Sequence, residues 1–151
     1  MLLPAVTFSL LPVSHPWKRK VTPTPTREGT KLMGLTYIKA TVINPADPKK
    51  RLKIEFLVDS GAMYSVVPKT ILKKLGIKSR ETETFTLVDG TDITRKVGNA
   101  LFALDHSERA SPVIFGEKGD TPLLGMVSLE ALGYILDPLR RELRPLPMVL
   151  G

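Results

Sequence analysis

The chain contains no cysteine, a single tryptophan and only two histidines among 151 residues. Without thiols there is neither a disulfide framework nor a thiolate metal site, and the composition fits a reducing compartment such as the cytoplasm. His15 lies among prolines and His106 in a polar stretch, so both read as surface residues rather than as a histidine-rich ligand set. No G-x-x-x-x-G-K-[ST], H-E-x-x-H or G-x-S-x-G motif occurs, which removes the phosphate-loop, zinc-protease and serine-hydrolase readings. Long apolar runs are missing too. Met1 to Val13 is apolar but broken by Pro4 and Pro12, too short to span a bilayer and without the basic start of a secretion signal. No stable membrane insertion is expected.

What is abundant is positive charge, with a net value of +7. Its location matters more than its size. Residues 1–33 carry Lys18, Arg19, Lys20, Arg27 and Lys31 against Glu28, whereas the remaining 118 residues have 17 basic and 14 acidic groups. No aromatic is interleaved with Lys49-Lys50-Arg51-Lys53, as a base-stacking platform would require. That cluster reads as a solvated hairpin loop, and no nucleic-acid partner is expected. Residues 1–32, with scattered prolines, threonines and charges, read as a flexible N-terminal extension. A single domain with a modest core is predicted over residues 33–151.

Within that domain, Leu35 to Ile43 alternates as a strand, Asn44-Pro45-Ala46-Asp47-Pro48 breaks it, and Arg51 to Val58 returns. Tyr64 to Val67 continues as a strand, and Pro68 opens a short helix through Leu75 with Gly76 as its cap. Phe85-Thr86-Leu87-Val88 and Thr91-Asp92-Ile93-Thr94 flank Asp89-Gly90, a two-residue hairpin signal. Asn99 to Ala103 and Pro112 to Phe115 supply further strands. Thr121 to Met126 is a short apolar run closed by Gly125, followed by a helix ended at Gly133 and a strand from Tyr134.

The most telling stretch is Phe56-Leu57-Val58-Asp59-Ser60-Gly61-Ala62. An apolar strand that ends in a carboxylate places a charge where it is costly unless something needs it. Ser60 can bond nearby backbone, Gly61 permits a tight turn, and Ala62 leaves room beside the carboxylate. Asp-Ser-Gly also occurs in ordinary turns. Here the apolar lead-in and the small follower set it apart.

Asp-Ser-Gly-Ala, an Asp-Gly hairpin, Leu123-Leu124-Gly125, a short helix and a final strand, in that order, resemble the retropepsin-like aspartic proteases from about Gly34 to Leu143. The resemblance implies a mostly β, closed acid-protease-like barrel with one or two short helices and one active-site loop per subunit. It implies catalytic Asp59 in a loop with Ser60, Gly61 and Ala62, and a substrate-binding flap at Val88, Asp89, Gly90 and Thr91. It also implies a supporting segment at Leu123, Leu124 and Gly125 that passes under the loop. The family's flap is often richer in glycine than this one. Paired carboxylates about 3 Å apart share one proton and so supply an acid and a base together, with no metal or cofactor. One Asp-Ser-Gly per chain then requires a homodimer acting on an extended peptide or protein substrate. The alternatives are a catalytically weak dimerisation or peptide-binding module of the same fold, or an unrelated basic β-barrel that binds nucleic acid.

Overall fold

A computed structural model of the chain describes residues 35–147. The predicted leader and its boundary at Met33 lie outside the described residues. Nine strands and two short helices follow in the order β1 (Tyr37–Asn44), β2 (Asp47–Val58), β3 (Ser65–Pro68), α1 (Lys69–Lys74), β4 (Glu81–Thr86), β5 (Asp92–Leu104), β6 (Ser107–Gly116), β7 (Leu123–Leu124), α2 (Met126–Leu132), β8 (Tyr134–Asp137) and β9 (Glu142–Pro145). Seven strands form one sheet in the order β1-β2-β7-β3-β6-β5-β4, and β1 also pairs with β5, so six of them close into a ring with β4 outside it. This is the closed, mostly β architecture that the element order implies. β8 and β9 form a separate antiparallel pair.

The inner side chains form two clusters. The larger holds Val42, Phe56, Val58, Val67, Leu72, Phe102, Leu124 and Leu129 among others, with Phe56 and Phe102 edge to face at 6.0 Å between ring centroids. Burying one such side chain contributes about 1.5–3 kcal/mol. The smaller cluster holds Leu57, Ala62, Val66, Val97, Ile114 and Leu123. β2 and β7 run parallel with Leu57 beside Leu123 and Val58 beside Leu124. Strand alternation sends the first pair to the smaller cluster and the second pair to the larger one. Asp59 follows Val58 directly at the end of β2.

Two sequence expectations are corrected. The solvated loop expected around Lys49, Lys50, Arg51 and Lys53 is strand throughout: β2 already includes Lys49 and Lys50 and runs on into the predicted arm, with Arg51 opposite Ile43 and Lys53 opposite Thr41. Their side chains are exposed while Leu52 and Ile54 turn inward against the core, the alternation of a half-solvated antiparallel strand. The turn shrinks to Pro45 and Ala46, where the Asn44 side-chain oxygen accepts the Ala46 N–H at 2.7 Å. The Asn44 amide also donates to the Leu75 carbonyl at 2.8 Å, pinning the hairpin to the end of α1.

The Asp89-Gly90 hairpin is longer than a two-residue turn. Gly90 N–H donates to the Leu87 carbonyl at 2.9 Å and Leu87 N–H to the Thr91 carbonyl at 2.7 Å. Gly90 has φ +90°. This is a turn over Val88 and Asp89 followed by a left-handed glycine, a three-residue loop whose bulge needs the conformation that glycine adopts without strain.

Candidate active site

The loop after β2 is held from below. Asp59 N–H donates to the Leu124 carbonyl at 3.1 Å, Leu57 N–H to the Pro122 carbonyl at 3.0 Å, and Met126 N–H to the Ala62 carbonyl at 2.8 Å. The turn itself is closed by Ala62 N–H on the Asp59 carbonyl at 3.0 Å, and Gly61 N–H donates to the carboxylate Oδ1 at 2.9 Å. Asp59, Ser60 and Gly61 are half-buried, whereas Ala62 is fully buried in the smaller cluster. A side chain larger than a methyl group at position 62 would have to displace that cluster.

β7 is threaded between β2 and β3, pairing parallel with the first and antiparallel with the second. At Gly125 the two chain segments touch. A Cβ there would lie 2.6 Å from the Tyr64 carbonyl carbon and oxygen, and 2.8 Å from the Met63 oxygen. The apolar-apolar-glycine segment thus passes directly beneath the Asp59 loop.

Sequence reasoning missed what ties this crossing together. The Gly125 N–H donates to Ser65 Oγ at 2.9 Å, Ser65 Oγ shares a 2.5 Å hydrogen bond with Ser128 Oγ, and Ser128 Oγ another of 2.6 Å with Ser111 Oγ. All three serines are buried. Each hydroxyl satisfies the next, as buried polar groups require. Ser65 sits in an apolar strand and its partners are remote in the chain, so no local pattern marked them.

The β4–β5 hairpin covers the smaller cluster. Phe85, Leu87 and Ile93 pack on it, and the Phe85 ring meets Tyr64 edge to face at 6.2 Å between centroids. The turn residues Val88, Asp89, Gly90 and Thr91 lie beyond this packing, and Asp89 Oδ1 accepts the Thr91 N–H at 2.9 Å. Beside Tyr64 a depression of about 270 Å³ is lined by Glu81, Glu83 and Asn99 among others. Burial, reinforced by the hydrogen bond and charge of Glu81, raises the Glu83 carboxyl above its ordinary range. Among the described residues no group of three or more His, Cys, Asp or Glu is placed to hold a metal, and no helix is long and apolar enough to cross a membrane.

A family model described as an aspartyl protease matches residues 40–127, more than half of the chain, from within β1 to the first residues of α2. The chain belongs to the aspartyl protease family. Among solved structures it is similar to a retropepsin-like aspartic protease from Rickettsia conorii, at 27% identity over 68% of this chain and 76% of that one, with a TM-score of 0.49. No curated protein matches.

Proposed function

We propose that the protein is an aspartic endopeptidase whose site forms between two copies of the chain, with Asp59 of each facing the other across a two-fold axis. The observation that carries this reading is the Asp59 loop, seated on the Leu124 carbonyl above the Gly125 crossing inside the family-matched span. The single Asp-Ser-Gly per chain makes the second copy necessary. In the reaction, one ionised carboxylate takes a proton from water as the oxygen attacks the scissile carbonyl carbon. The protonated partner carboxyl gives its proton to the carbonyl oxygen. The tetrahedral intermediate then collapses as the C–N bond breaks: the first carboxyl gives the proton it took from water to the departing nitrogen, and a hydroxyl of the intermediate returns a proton to the partner carboxylate. Gly61 N–H, donating to Asp59 Oδ1, fixes the carboxylate plane for this exchange. The β4–β5 hairpin acts as the flap over an extended peptide bound through its backbone.

The test is cleavage of an unfolded protein by the purified chain, with a hydroxyl-bearing transition-state peptide as inhibitor and Asp59→Asn as control. Inhibitable cleavage that Asp59→Asn lowers by at least about a hundredfold supports the reading. Cleavage by Asp59→Asn at the wild-type rate ends it. A second reading, peptide binding without turnover, draws on the hairpin's single glycine and its Phe85 anchor. Tight binding of the inhibitor with no hydrolysis of any substrate would select it.

A further inference from the structure

On the inward face of the hairpin one charged residue of β5 interrupts the apolar side chains. Alternation places Ile93, Arg95 and Val97 on the same side of β5, and the two apolar members lie in or against the smaller cluster. Arg95 is held by Asp120 in the loop that leads into β7. Its Nε donates to Asp120 Oδ2 at 2.8 Å and its Nη2 to Oδ1 at 3.1 Å, with the two side chains only 16% and 9% exposed. Asp120 is itself fixed, because its Oδ2 accepts the Glu117 N–H at 2.7 Å and its own N–H donates to the Glu117 carbonyl at 2.9 Å. Two residues further on, Pro122 accepts from Leu57, and Leu124 accepts from Asp59.

Resting on the reading of this hairpin as the flap, we propose that Arg95 is a positioning residue that fixes the flap's height above Asp59 by clamping β5 to Asp120. The chain of contacts is short. It runs from the hairpin through one bidentate pair to the segment on which the Asp59 backbone rests. Both charges are largely withdrawn from water, so detaching the hairpin would strand each without its partner. The planar fork of arginine fixes direction as well as distance, which a lysine ammonium would not. Bending is thereby confined to the part of the hairpin beyond Ile93.

Hydrogen exchange on the full chain reads the clamp without needing catalysis. Asp120→Asn and Arg95→Gln are each expected to speed exchange at amides 85–93 by about tenfold or more, with amides 113–115 of β6 as in wild type. Lys69→Met, which removes the exposed 2.6 Å Lys69–Glu117 pair from the same loop, should leave the hairpin unchanged. The double variant Arg95→Gln/Asp120→Asn removes both charges of the bidentate pair together, so it serves if a single variant fails to fold, and its hairpin should also exchange fast. In peptide cleavage the same variants should raise KM more than they lower kcat, with Arg95→Lys restoring part of the loss. Hairpin exchange that stays at the wild-type rate, or that rises only in step with β6, overturns the clamp. A wild type that cleaves nothing would overturn the protease reading instead, and the exchange result would still decide the clamp.

Discussion

Gly125 and Ser128 show how much of the site rests on residues without chemistry of their own. At Gly125 the atoms that a methyl group would strike are backbone atoms of Met63 and Tyr64, which cannot rotate away. Gly125→Ala must therefore lift the Asp59 loop or push β7 out of the sheet, and a loss on the order of 3 kcal/mol is expected in urea unfolding. Ser128→Ala removes the hydroxyl that Ser65 and Ser111 share, leaving two buried oxygens facing a methyl group. The expected cost is about 1–3 kcal/mol by the same measurement. Asp59 and Gly125 were legible in the sequence because each belongs to a short local pattern. The serines were not, since Ser65 and Ser128 are 63 positions apart and only the crossing of strands brings them together.

At the scale of elements, the C-terminal β8–β9 hairpin depends on one carboxylate. Asp137 Oδ1 accepts the Leu139 N–H at 2.9 Å and the Arg140 N–H at 3.1 Å, closing the turn, with Arg144 Nη1 3.5 Å from Oδ2. The Arg140 N–H first, then that of Leu139 and the charges of Arg144 and Arg140, hold this carboxyl below its ordinary value. A carboxyl lowered in the folded state stabilises above the ordinary carboxylate range, and that contribution fades as pH falls through the lowered value. Asp137→Asn should therefore speed hairpin amide exchange near neutral pH, and its difference from wild type should shrink as pH falls below the ordinary carboxylate range and through the lowered value. Exchange equal to wild type at neutral pH would contradict this. Helices α1 and α2 were legible from their proline and glycine boundaries. The arm from Arg51 to Val58 was legible from its alternation, whereas Lys49 and Lys50 were not, because two consecutive exposed lysines after Pro48 carry no strand period of their own. Asp89-Gly90 announced a turn correctly, but the bulge at Gly90 depends on where β4 and β5 come into register.

For the whole molecule, the ring of six strands and the family-matched span both lie after residue 35. Removal of residues 1–32, which contain five prolines and little periodic apolar surface, is expected to leave the melting temperature nearly unchanged. A large drop would place that segment in the fold. Because each chain offers one Asp59, activity per subunit should fall on dilution through the dimer dissociation range. We propose the segment from Leu139 to Leu143 as the contact between copies, by resemblance to a family that uses its termini there; the Leu139 side chain is 91% exposed. An undiminished rate from a monomer would contradict the two-copy site. The most direct measurement is the separation of the two Asp59 carboxylates in an experimental structure of the dimer. The account expects them within hydrogen-bonding distance, about 3 Å, as a shared proton requires. Carboxylates many ångströms apart in every crystal form, with and without a bound peptide inhibitor, would contradict it.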